Sequence, residues 1–100
     1  MTTDNLKDFI AIPTIANDKE ANLSAIDFIC KFLKPIGFTI SIEGESPFHQ
    51  PVIVAKYNNP NTDKKVVLYG HYDVEKIKEW EKWNTPPFEL TEINGRYYCR

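Results

Sequence analysis

One hundred residues, 42% hydrophobic, 26% charged and 13% aromatic, have the composition of an ordinary globular chain and make one small domain at most. Twelve Lys/Arg against 14 Asp/Glu leave a net charge of −2 with no basic cluster, so nothing points to nucleic-acid binding. No apolar run approaches the roughly 18–20 residues of a membrane helix. The first five residues lack the basic and apolar regions of a secretory signal, and a cytoplasmic address is expected.

Thr3 or Asp4 can cap a short helix running to about Ile10, with Leu6, Phe9 and Ile10 on one face, and Pro13 ends it. Asn17, with Glu20 three residues later, offers a capping box for a second helix in which Ile26, Ile29, Leu33 and Ile36 recur at helical spacing. Ala25, Phe28 and Phe32 widen its apolar face as if to press on a sheet, and Gly37 terminates it. Phe38 to Glu43 alternates apolar and polar residues, the pattern of a half-buried strand; Gly44 to Pro51 is a turn-rich connection, and Val52 to Tyr57 is a second strand. Beyond an Asn/Pro-rich turn, Val66, Val67, Leu68 and Tyr69 form a β-branched and aromatic run expected to be a buried third strand ending at Gly70. Glu75 to Lys82 is a solvated charged insert, a helical turn or a loop. Phe88 to Glu92 and Arg96 to Cys99 make a hairpin across Asn94-Gly95, because Asn-Gly accepts the positive φ angles of a tight turn. There is no internal repeat and no low-complexity segment.

The chemistry concentrates in Gly70-His71-Tyr72-Asp73-Val74, which sets an imidazole and a carboxylate two residues apart where the third strand runs out. Side chains of an extended segment alternate, so His71 and Asp73 can point the same way while Tyr72 faces the other. Ligands collect beyond the carboxyl ends of strands in open α/β sheets, and a histidine delivered there can bind a metal through one ring nitrogen while Asp73 orients the ring. A His-x-Asp pair is by itself unspecific, since a loop histidine bonded to a neighbouring carboxylate is commonplace. His49, in the turn Pro47 to Pro51, reads as solvated. Trp80 and Trp83, with Phe88, either line a substrate pocket or pack a loop onto the core. Cys30 and Cys99 form neither a disulfide framework nor a thiolate metal site.

Several motifs in order give the chain a resemblance. Leu6 to Thr14 closing on Ile12-Pro13-Thr14, the helix ending at Gly37-Phe38, Lys65 to Val74 with its Gly-His-Tyr-Asp-Val, Trp83 to Leu90 with Pro86-Pro87-Phe88, and Asn94-Gly95-Arg96 leading to Tyr98 resemble the amino-terminal portion of the zinc-dependent M20 metallopeptidases. These include dipeptidases, aminoacylases and deacetylases. The ordered set is far more specific than any one motif and covers nearly the whole chain.

The resemblance implies an α/β fold, the amino-terminal part of an α/β/α zinc-exopeptidase-like catalytic domain, with residues 1–100 forming an incomplete portion of a mixed sheet with flanking helices. It implies that His71 is a ligand to one of two zinc ions and that Asp73 is the catalytic-site carboxylate fixing that histidine. It also implies that the metal-bridging aspartate, the catalytic glutamate and the remaining ligands follow position 100. Cys99 departs from the glycine most members carry before the corresponding arginine. The implied activity is hydrolysis of amide bonds in small peptides or N-acyl amino acids, closer to the peptidase branch. The 100 residues alone are expected to be inactive and to bind metal weakly, because zinc normally takes at least three protein ligands. No nucleic-acid or membrane partner is implied, and a homodimer stays open. The alternative is a non-catalytic α/β binding or assembly module derived from the same fold.

Overall fold

The computed structural model describes residues 2–45 and 50–100; the turn reading of His49 lies outside them. Helix α1, Thr3–Ile10, starts at Thr2, whose hydroxyl accepts from the Asn5 amide while the Asn5 side chain accepts from the Thr2 amide. The cap is therefore a reciprocal Thr-x-x-Asn box one residue before the expected Thr3. Helix α2, Lys19–Leu33, is capped by Asp18, whose carboxylate accepts the Ala21 amide at 3.0 Å. Asn17, the expected cap, instead turns the chain with φ of 73°, a conformation asparagine tolerates better than most residues. A single 3-10 turn, Lys34–Ile36, then leads to Gly37. Gly37 sits at φ +98° and a Cβ there would meet the Tyr57 ring at 3.2 Å, so the expected terminator is required twice over.

Phe9 of α1 stacks on Phe28 of α2 with ring centroids 5.3 Å apart, which fastens the two helices. The inner face of α2 buries Ala21, Asn22, Ala25 and Ile26. Strands β1, Thr39–Glu43, and β2, Val52–Lys56, pair antiparallel with Thr39 opposite Lys56 and Glu43 opposite Val52. Phe38 and Tyr57 close the end of that ribbon, their ring centroids 5.6 Å apart. Strands β3, Thr91–Ile93, and β4, Arg96–Tyr98, form the second antiparallel ribbon. Its turn has φ of 51° at Asn94 and 74° at Gly95, the two positive angles foreseen for Asn-Gly.

The third strand is the main correction. Val66 to Tyr69 lie outside every ladder among the described residues and are 83–94% exposed. Their β-branched composition suits a pleated interior, yet a strand is stabilised only by partners on its edges and packing on its faces. Neither ribbon supplies one, so the mixed sheet reduces here to two antiparallel pairs and one parallel bridge, Ile15 with Val74. The radius of gyration of 16.0 Å, against about 13 Å for a compact chain of this length, reflects the same lack of a common core. Glu75 to Lys82 is a loop with a turn at Glu79-Trp80. Helices with small antiparallel sheets are compatible with an α/β domain.

Candidate metal-ligand site

Val74 is the fixed point from which the site is built. Its amide donates to the Thr14 carbonyl at 2.8 Å, and its carbonyl accepts the Ala16 amide at 2.9 Å. The hydroxyl of buried Thr14 donates to the Tyr72 carbonyl. Tyr72 turns its own phenol to the carbonyl of buried Pro51, donating at 2.7 Å. Burial and, secondarily, the Asp73 charge raise the Tyr72 phenol above the ordinary tyrosine range. The loop after α1, the residue preceding β2 and the 72–74 segment are thereby tied into one junction.

The sequence pairing of His71 with Asp73 is realised in space. His71 Nδ1 lies 2.8 Å from the Asp73 backbone carbonyl and 3.4 Å from its carboxylate Oδ1. Both oxygens only accept, so the ring proton belongs on Nδ1 and the lone pair on Nε2 is left free. The His71 side chain is 72% exposed and that of Asp73 40%, so the free nitrogen is accessible. This is the tautomer a ligand histidine needs, with the other ring nitrogen held by a carbonyl or carboxylate.

One imidazole of this kind fits a zinc or other divalent ion as a single ligand. Among the described residues no group of three or more His, Cys, Asp or Glu gathers to complete a site. An open groove of about 570 Å³ bordered by Ala16, Asn17 and Glu75 to Glu79 includes neither His71 nor Asp73. Trp80 is 74% exposed with Lys78 Nζ 5.4 Å from its ring centre, and Trp83 is 41% exposed with the Arg100 guanidinium at 5.8 Å, so both are surface rings that carry a cation on the face. Cys30 and Cys99 are free and half-buried. The residues that sequence reasoning missed are Thr14 and Asn22. Asn22 is 1% exposed, and its Nδ2 donates to the Ile15 carbonyl at 2.9 Å and to the Asp18 carbonyl at 2.6 Å, holding the loop that grips Val74. No local pattern announces the Thr14 contact, made across 58 residues of sequence, whereas the Asn22 bonds span only seven and four residues and were signalled by an asparagine between Ala21 and Ala25 on the inner face of α2.

Comparison with known proteins brings the geometry into a class. The homologues of this chain are M20-type metallodipeptidases and related amide hydrolases, at low identity. The chain is 33% identical over 87 residues to the Beta-Ala-His dipeptidase of Rattus norvegicus, an alignment covering 86% of this chain and 17% of that protein. It is 28% identical over 101 residues to the Cys-Gly metallodipeptidase DUG1 of Candida albicans, covering 87% and 21%. It is 32% identical over 98 residues to the succinyl-diaminopimelate desuccinylase of Legionella pneumophila, covering 98% and 24%. The chain spans about a fifth of the length of these relatives. No family model and no solved structure matches it. Among the described residues no helix is long and apolar enough to cross a membrane.

Proposed function

We propose that this chain is the amino-terminal part of an M20-type two-zinc hydrolase that cleaves amide bonds of dipeptides or N-acyl amino acids. The observation that carries the reading is the His71 ring, bonded through Nδ1 to Asp73 with Nε2 free and exposed, in a chain whose relatives include metallodipeptidases. His71 supplies one neutral imidazole ligand. Asp73 holds the ring by its carbonyl and, more weakly, by its carboxylate, which selects the tautomer and raises ligand basicity. Bound zinc in such a site lowers the pKa of water and polarises a carbonyl. The further ligands and the general base belong to residues following position 100. Tyr72, committed to Pro51, keeps the segment in place and does not reach for substrate.

The test uses the natural gene product that contains this segment, with metal content measured by mass spectrometry and turnover measured on β-alanyl-histidine, Cys-Gly and N-acyl amino acids. His71→Ala should abolish turnover and lower the bound metal. Asp73→Asn should retain more metal than activity, with turnover reduced about 10–100-fold, the usual effect of losing a group that orients a ligand. The 100-residue chain alone should bind zinc weakly and hydrolyse nothing, since one ligand is below the three that zinc normally requires. Full metal content and turnover in His71→Ala would refute the assignment, whereas a natural gene product that holds no metal and turns over none of these substrates would favour a binding or assembly module built on the same fold.

A further inference from the structure

We infer that Thr14 is a positioning residue for His71, acting through Asp73; the inference rests on the reading of His71 as a ligand through Nε2. Two peptide units flank the Cα of Asp73. The first carries the Tyr72 carbonyl, which accepts the Thr14 hydroxyl. The second carries the Asp73 carbonyl and the Val74 amide, and that amide donates to the Thr14 carbonyl at 2.8 Å. Thr14 therefore holds both units, one with its side chain and one with its backbone. Because peptide units are planar, holding the two on either side of a residue fixes that residue's φ and ψ.

Both acceptors of His71 Nδ1 belong to Asp73, the carbonyl at 2.8 Å and the carboxylate at 3.4 Å. Their direction follows from the backbone angles Thr14 imposes. Thr14 is itself anchored. It is 5% exposed, the Ala16 amide returns to the Val74 carbonyl at 2.9 Å, and the Ile15 carbonyl between them is held by Asn22 of α2. A connected path thus runs from the buried face of α2 through Asn22, Ile15 and Thr14 to Asp73 and the imidazole. The hydroxyl is the replaceable link, since valine keeps the shape of threonine without the donor and serine keeps the donor.

The readout is the His71 tautomer, observed through the imidazole nitrogen shifts of the 15N-labelled chain at pH 8. His71 is one of two histidines and is assigned by the signal lost in His71→Ala. Wild type should be dominated by the Nδ1–H form. Thr14→Val should move the ratio toward Nε2–H by about threefold or more, the effect of losing one ordinary hydrogen bond, and Thr14→Ser should keep the wild-type ratio. A folded Thr14→Val with an unchanged ratio overturns the inference. Should Thr14→Val fail to fold, wild type and Thr14→Ser decide, and a predominantly Nε2–H ring in either one overturns it. Excess zinc added to the natural gene product that contains this segment separates the two readings. An Nδ1–H ring whose Nε2 signal ignores zinc sinks the ligand reading, while the Thr14 control of the tautomer stands.

Discussion

Asn22→Asp is the change whose consequence the structure fixes most closely. The side-chain amide donates to the Ile15 and Asp18 carbonyls, and its Oδ1 is buried with no partner among the described residues. A carboxylate in its place loses both donors, at about 1 kcal/mol each, and points negative charge at two carbonyl oxygens from a position that is 1% exposed. An uncompensated buried charge brings the total to about 3–5 kcal/mol. Asn22→Leu removes the same two bonds but also removes the orphaned oxygen. Both carbonyls keep a backbone donor, since the Asp18 amide reaches Ile15 O and the Asn22 amide reaches Asp18 O, each at 3.0 Å. The leucine variant should therefore lie within about 1–2 kcal/mol of wild type. Urea unfolding followed by circular dichroism at pH 7 and pH 4 measures both. Burial raises the folded-state pKa of the new carboxyl above its unfolded value of about 3.9. The deficit should accordingly fall to about 1–2 kcal/mol at pH 4, where the lost amide donors remain but the charge does not, grow as pH rises toward the folded value, and stay constant above it. An Asn22→Asp chain as stable as wild type at pH 7, or a leucine variant that loses more than the aspartate one, would refute the reasoning.

Tyr72→Phe should cost about 1 kcal/mol by removing the bond to Pro51. Because the Tyr72 phenol is raised by burial and then by Asp73, its contribution should be complete below the ordinary tyrosine value of about 10 and fade as pH climbs through the folded value. In a tyrosinate absorbance titration one of the five tyrosines should lag the others, and that late step should vanish in Tyr72→Phe; five indistinguishable tyrosines would contradict it. Leu68→Lys, at a side chain that is 90% exposed, should change stability by no more than about 0.5 kcal/mol. The same substitution should suppress self-association of the chain in sedimentation, because a lysine blunts the exposed apolar run Val66 to Tyr69, whose composition invites strand pairing. A wild-type chain that stays monomeric at high concentration would count against that expectation.

Legibility in the sequence followed the range of the interaction. The Asn94-Gly95 hairpin and the Gly37 stop came through because each depends on a φ angle set by one or two adjacent residues. Helix starts slipped by one residue where several good caps stand in a row, Thr2 beside Thr3 and Asn17 beside Asp18, and only the backbone angle of each decides which side chain turns inward. Val66 to Tyr69 misled because composition records suitability for a sheet interior and carries no information on whether a partner strand is there. At the site, the two-residue spacing of His71 and Asp73 foretold their pairing. That the shorter contact would go to the Asp73 backbone carbonyl, and that Thr14 would govern it, depended on a crossing between distant segments that no window of sequence contains.

The bond between Thr14 and Tyr72 joins residues 58 apart in the chain. Closing a flexible loop of that size costs about 3.5 kcal/mol before any constant term, and it is met by a handful of hydrogen bonds at one junction. Local elements repay their ordering sooner, so α1, α2 and both ribbons should be in place before the 14–16 segment meets 72–74. The same arithmetic makes this junction among the first parts of the native chain to open, as a local fluctuation that leaves the helices standing. The imidazole would then lose its aim each time the junction parts, so the time His71 spends ready for a ligand is set by the opening equilibrium of a crossing that contains no histidine.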